Sequence, residues 1–322
     1  MHALLGERLD ALYRLYGPET VATDPILFVG RYAEPEDREV VGWIASAFAY
    51  GQVPVIQSSV GRLLGALGPR PARALDAVRS FRELASDALA GFRHRFHGAR
   101  DAAALLFAIA RAREAGGGAL RGFFEGTFRA EDRDTGALLT RAVARIEDFD
   151  YRPVLGVKRL PERSPVRFFF PNPASGSACK RWHLYLRWMV RRDALDFGLW
   201  PGIPTDRLVV PTDTHVHRIA RRLGLTRRRT ADGKAAREIT DALARFDAAD
   251  PVRFDYALCR IGILDICVPS TRLCRCADCP VQQACGVGRR RVPRSEATRD
   301  PALDRALRPS SPGSLAALGM TT

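Results

Sequence analysis

A chain of 322 residues has room for one large domain or two intimate ones, and 46% hydrophobic with 27% charged residues is the make-up of a water-soluble globular protein. No stretch approaches the roughly 18 uncharged apolar residues of a membrane helix, and Met1-His2-Ala3-Leu4-Leu5-Gly6-Glu7 lacks a signal peptide's basic-then-apolar pattern. A cytoplasmic protein with no membrane partner is expected. The formal charge of +14 and a pI near 10.1 point to an acidic polymer as partner. The arginines after Cys285 are set against Glu296, Asp300 and Asp304, so most of that charge belongs to the body.

In chain order, residues 3–16, 36–50, 53–66, 99–115, 135–148, 176–191, 213–224, 233–246 and 251–264 place apolar residues at intervals of three and four, which predicts helices. Alternating runs are scarce, and Phe168-Phe169-Phe170 is too short to define a strand. The connections carry Gly and Pro, as in Gly116-Gly117-Gly118 and Pro171-Asn172-Pro173. The expected fold class is all-α. There is no internal repeat, and from Gly286 onward the arginine-, proline- and serine-rich composition predicts a disordered basic tail over 286–322.

Of 50 basic residues only Lys158, Lys180 and Lys234 are lysine. Arginine stays protonated, whereas a desolvated lysine can lose its proton and attack carbon. Lys180 follows the small-residue turn Pro173-Ala174-Ser175-Gly176-Ser177, where Ser175 or Ser177 would cap a helix and its free N–H groups would suit a phosphate. Asp213, in Pro211-Thr212-Asp213-Thr214-His215, reads equally as an N-cap and as a carboxylate for catalysis. Arg218, Arg221 and Arg222 follow at helical spacing, suited to a phosphate backbone. Trp182 and Trp188 share the lysine's helix and read as core. Arg93-His94-Arg95-Phe96-His97 reads either as a basic, aromatic-bearing loop near DNA or as a plain surface loop.

Five of the seven cysteines, Cys267, Cys274, Cys276, Cys279 and Cys285, fall within nineteen residues. Four thiolates suit a [4Fe–4S] cluster or, alternatively, structural zinc. Cys267, Cys276, Cys279 and Cys285 are the expected ligands, with Cys274 as the substitute.

Together these motifs resemble the helix-hairpin-helix DNA glycosylases, of which endonuclease III is the best known. Gly176-Ser177-Ala178-Cys179-Lys180 is similar to their Gly-x-Gly-x-Lys hairpin, Thr212-Asp213-Thr214-His215 to their Val-Asp-Thr-His motif, and Cys276-x2-Cys279-x5-Cys285 to the end of their iron–sulfur loop. Ser46-Ala47-Phe48-Ala49-Tyr50-Gly51-Gln52 is similar to the stretch that supplies a wedge glutamine, Gln52 here. The 33 positions between lysine and aspartate, with an insertion at about 192–210, look more like the archaeal 8-oxoguanine glycosylase group and its bacterial relatives. The resemblance implies a terminal subdomain from 1–35 and 225–266, a helical barrel subdomain over 36–224 and a cysteine loop over 267–285. It implies catalysis by Lys180 and Asp213, with Gln52, Ser175, Gly176, Ser177, His215, Arg218, Arg221 and Arg222 on DNA.

The function expected is a nucleoid-associated, monomeric base-excision glycosylase with β-lyase activity, acting on double-stranded DNA with a damaged base, 8-oxoguanine favoured. A flipped base would enter a pocket, and neutral Lys180 would attack C1′ while Asp213 takes its proton. The alternatives are another lesion, such as an oxidised pyrimidine, a non-catalytic nucleic-acid-binding protein on the same fold, and a zinc-stabilised DNA-binding regulator.

Overall fold

The computed structural model describes residues 2–291. Among them, nine helices of nine residues or more fall on the nine predicted stretches. They are α1 His2–Leu15, α2 Pro35–Ala47, α3 Val53–Leu67, α4 Ala99–Ala115, α5 Thr135–Glu147, α6 Lys180–Val190, α7 Thr214–Leu223, α8 Gly233–Leu243 and α9 Asp255–Ile263. Short turns of helix at Pro71–Asp76, Phe81–Ser86 and Leu120–Glu125 are too brief to leave a period in the sequence. Strand among the described residues is limited to β1 Arg93–His94, its antiparallel partner β2 His97–Gly98 and the bridge Arg192–Phe197. The protein is all-α, and no described helix is long and apolar enough to cross a membrane.

Helix ends follow from local chemistry. Pro35 opens α2 with Glu36 and Asp37 in its first turn, where a fixed φ and negative charge suit the exposed N–H groups. Asp134, Asp213 and Asp232 cap α5, α7 and α8 with their side chains. Buried along most of its length, α2 packs against α6. A Cβ on Gly42 would lie 2.9 Å from Met189 Cε and 3.1 Å from Tyr185 Cε2, so a glycine lets these two helices approach. Around the crossing, Trp43 stands 5.1 Å from Trp182 and 5.4 Å from Phe124, which stacks on Trp200 at 5.1 Å. Trp182 and Trp188 are both buried, in keeping with their reading as core. Residues 192–210 fold back onto α6 through Phe197 N–H to Trp188 O and Trp200 N–H to Met189 O, both 2.9 Å. Near the other end, α1 packs on α9 and on the turn Pro251–Phe254.

Three local expectations change. Residues 176–179 are not helical: Gly176 and Cys179 sit in the left-handed region at φ 83° and 44°, and α6 begins at Lys180. The segment 93–97 is not a plain surface loop, because His94 and His97 are wholly buried while Phe96 is 53% exposed. The expected tail does not start at 286. Gly288–Arg291 form a helical turn against the cysteine loop, and only residues 292–322 of that tail lie outside the described residues.

Candidate active site

Lys180 is the first residue of α6, delivered by a tight turn. Asn172 Oδ1 accepts from Ala174 N–H at 2.9 Å, Ser175 Oγ donates back to Asn172 O at 2.7 Å, and Ser177 Oγ accepts from Cys179 N–H at 3.2 Å. Gly176 O accepts from Gly233 N–H at 2.9 Å, which ties the turn to the start of α8. Ser175 and Gly176 are exposed and Ser177 half-buried. Asn172, rather than either serine, caps the 3-10 turn before the lysine.

Asp213 is both cap and partner. Its Oδ1 accepts from His215 N–H and Val216 N–H, each at 2.9 Å, and its Oδ2 lies 3.1 Å from Lys180 Nζ. The two side chains are 32% and 18% exposed, so the pair is reachable from solvent. Burial alone pushes the Lys180 ammonium down, but the neighbouring Asp213 carboxylate outweighs it and the net shift is upward. For Asp213 burial raises the carboxyl, and Lys180 together with the cap N–H groups brings it below its ordinary value. In the free protein the two groups form an ammonium–carboxylate pair.

The pair opens into a cleft of about 500 Å³. Two turns of α6 place Lys180, Leu184 and Arg187 on one helical face lining it, and Asp255, Cys259 and Ile263 of α9 line it as well. Pro25, Val53 and Ile56 supply apolar surface, and His215 also lines the cleft. Gln52 is exposed, between the cleft-lining Gly51 and Val53. Tyr50 at the rim is held by the buried histidines: its hydroxyl meets His97 Nδ1 at 2.5 Å, and its carbonyl meets His94 Nε2 at 3.0 Å. Burial pushes both imidazoles down, so they are neutral at pH 7. Beside Tyr50, Phe96 and Phe168 (40% exposed) meet edge to face at 5.0 Å, and Arg181 lies 4.0 Å over Phe168. A wider groove of about 1050 Å³ elsewhere is lined by Arg79, Arg82, Arg111 and Arg152 but by no lysine, cysteine or histidine.

The arginines of α7 divide. Arg221 is exposed. Arg218 donates to Cys267 O at 2.7 Å and contacts His215 Nδ1 at 3.0 Å. Arg222 reaches Cys267 Sγ at 2.9 Å, Cys274 Sγ at 3.1 Å and Pro269 O at 2.8 Å. The expectation of three arginines on one DNA-facing surface is corrected for Arg218 and Arg222, which are turned into the cysteine loop. All five cysteines of that loop line one small cavity with Arg222, Val287 and Gly288. Among the described residues no three His, Cys, Asp or Glu side chains are placed so as to hold one metal ion.

Sequence reasoning brought out Lys180, Asp213 and His215 and missed Tyr50, Arg187, Asp255 and Cys259. The signal for Arg187 was present, seven residues from Lys180 on the same helical face. For Tyr50, Asp255 and Cys259 there was none, because only packing brings their segments to the lysine.

A family model described as "Protein of unknown function (DUF2400)" matches residues 24–264. No curated protein and no solved structure matches the chain. The match overturns the resemblance to helix-hairpin-helix DNA glycosylases and to the 8-oxoguanine group, since this family is a distinct one. The motifs that carried the resemblance are a tight turn before a helix and an aspartate cap, which recur wherever helices need those ends.

Proposed function

We propose, for a chain that belongs to the family described as Protein of unknown function (DUF2400), that it releases a damaged base from double-stranded DNA through an imine on Lys180 and then cleaves the strand. The observation that carries this reading is the Lys180–Asp213 pair, 3.1 Å apart at the edge of a 500 Å³ cleft in a chain of charge +14. A base flipped into the cleft strips water from both charges and favours the neutral amine–acid pair, with the proton on Asp213. Lys180 Nζ then attacks C1′. The glycosidic bond breaks, its electron pair leaves with the base, and Asp213 returns the proton to that base. Ring opening moves a proton from Nζ to O4′ and leaves the imine. Loss of a C2′ proton then expels the 3′ phosphate.

Arg221, Arg93 and Arg95 are exposed and supply charge for the phosphate backbone. The rim of Phe96, Phe168, Tyr50 and Arg181 offers aromatic faces for unstacked bases. In this reading the turn Ser175–Ser177 grips a phosphate and the exposed Gln52 fills the place of the extruded base. In this reading the protein acts as a monomer at the nucleoid. On the same reading residues 1–35 with 225–266 form one subdomain and 36–224 the other, and the cleft, lined by residues from both stretches, lies at their junction.

For the cysteine loop, the all-thiol donor set around one cavity, with a guanidinium on two of its sulfurs, fits a group that takes thiolates. Cys267, Cys276, Cys279 and Cys285, with Cys274 as substitute, would hold a [4Fe–4S] cluster, or zinc in its place. Such a group would fix the loop structurally and would play no part in base release.

Borohydride trapping tests the reading. A covalent adduct with duplexes carrying 8-oxoguanine or an abasic site, lost in Lys180→Gln, is expected. No adduct with either duplex would leave Lys180–Asp213 a structural ion pair in a nucleic-acid-binding protein.

A further inference from the structure

The floor of the cleft holds a polar pair that the chemistry at Lys180 does not use. Arg187 Nη1 donates to Asp255 Oδ2 at 2.5 Å, and Arg187 Nε donates to Asp196 Oδ1 at 3.2 Å. Both Arg187 and Asp255 are more than nine-tenths buried, with side chains 2% and 4% exposed, and both line the cleft. The fork is half made. Arg187 Nη2 and Asp255 Oδ1 have no hydrogen-bond partner, and among the described residues they are the two buried polar side-chain atoms of the cleft left in that state. Buried charged groups are rarely left so, because the missing bond carries the full cost of desolvation.

We infer that Arg187 and Asp255 form a base-reading site for a lactam edge, a C=O beside an N–H, as in guanine-, hypoxanthine- and uracil-type bases. The carbonyl oxygen accepts from Nη2 and the ring N–H donates to Oδ1. This deepens the reading of the cleft as a base pocket and rests on it. An adenine-type edge also offers an acceptor beside a donor. However, a charged donor and a charged acceptor bond most strongly to the more polarised carbonyl and lactam N–H. Burial lifts the Asp255 carboxyl to about 6, so at pH 7.5 it remains an acceptor. The apolar Ile56, Leu184 and Ile263 leave the rest of a planar ring in non-polar surroundings.

The test is calorimetric binding of free bases to the whole protein at pH 7.5, in matched pairs that differ in the edge: hypoxanthine against adenine, and 1-methyluracil against 1-methylcytosine, whose methyl group blocks N1 as the sugar does in DNA. The lactam member is expected to bind at least about tenfold tighter in each pair, the discrimination of one good bidentate contact. In Asp255→Asn that preference is lost, read as the ratio of the two affinities within each pair, which a general weakening of binding does not move. Equal affinity within each pair, or no binding of any base by wild type, overturns the inference even if Asp255→Asn fails to fold. Failure of wild type to trap an abasic site would instead overturn the excision reading, and the free-base comparison would still decide the recognition site.

Discussion

Replacing Asp213 by asparagine separates its two roles. Asparagine keeps an oxygen where Oδ1 accepts from His215 and Val216 N–H at 2.9 Å, and Asn is as good an N-cap as Asp. What is lost is negative charge at the start of α7, about 0.3–1 kcal/mol. The ion pair with a lysine still 32% exposed is lost as well, about 1 kcal/mol at most after solvent screening. The total, about 1–2 kcal/mol, lowers Tm by roughly 2–6 °C. Base release should fall far more, by about 10²–10⁴-fold, the usual contribution of a proton-transfer group. Without Asp213 the burial that pushes Lys180 down is less opposed, so more of the amine is neutral at a given pH. Imine trapping at a preformed abasic site should therefore survive and shift its pH profile to lower pH. The assay is single-turnover base release beside borohydride trapping, with melting curves for Asp213→Asn and Asp213→Ala. Alanine also removes the cap and should melt lower by about a further 1 kcal/mol, yet lose no more activity. Base release by Asp213→Asn within about tenfold of wild type would refute proton transfer by this residue.

Other perturbations address the rest of the site. Gly262→Ala would bring a Cβ to 2.7 Å from His215 Cβ and Nδ1, so His215 and the backbone that carries it must shift; a lower melting point together with weaker DNA binding is expected, and unchanged affinity would remove His215 from the interface. Cys279→Ser should lower iron or zinc content measured by mass spectrometry, and an unchanged metal content would exclude Cys279 as a ligand. His183 is buried with Nδ1 unpartnered, and burial lowers it to about 4, below the ordinary value near 6.5. The unfolded chain therefore takes up the proton first, so His183's share of stability is whole above pH 6.5 and is lost as pH falls from 6.5 towards 4. The stability gap between wild type and His183→Gln in urea should narrow by about 2 kcal/mol from pH 7 to pH 5; a constant gap would show that His183 titrates normally.

The sequence by itself determined the helical class and the places of the long helices, because their periods run over three or more turns of chain. Lys180 at the start of a helix and Asp213 at a cap were legible for the same reason: turn and cap chemistry is local. The short helices at Pro71–Asp76 and Leu120–Glu125 were not legible, since one or two turns hold too few residues for a period. Nor was the helical turn Gly288–Arg291, because it is held by packing on the cysteine loop and not by its own composition. Tertiary structure alone decided which charges meet. Arg221 and Arg222 are neighbours in sequence, yet one is exposed while the other reaches the sulfurs of Cys267 and Cys274, about 100° away around the helix. The same holds for the cleft. Asp255 and Arg187 are 68 residues apart and become a half-made fork only because the fold brings residues of α6 and α9 into one cleft with Lys180.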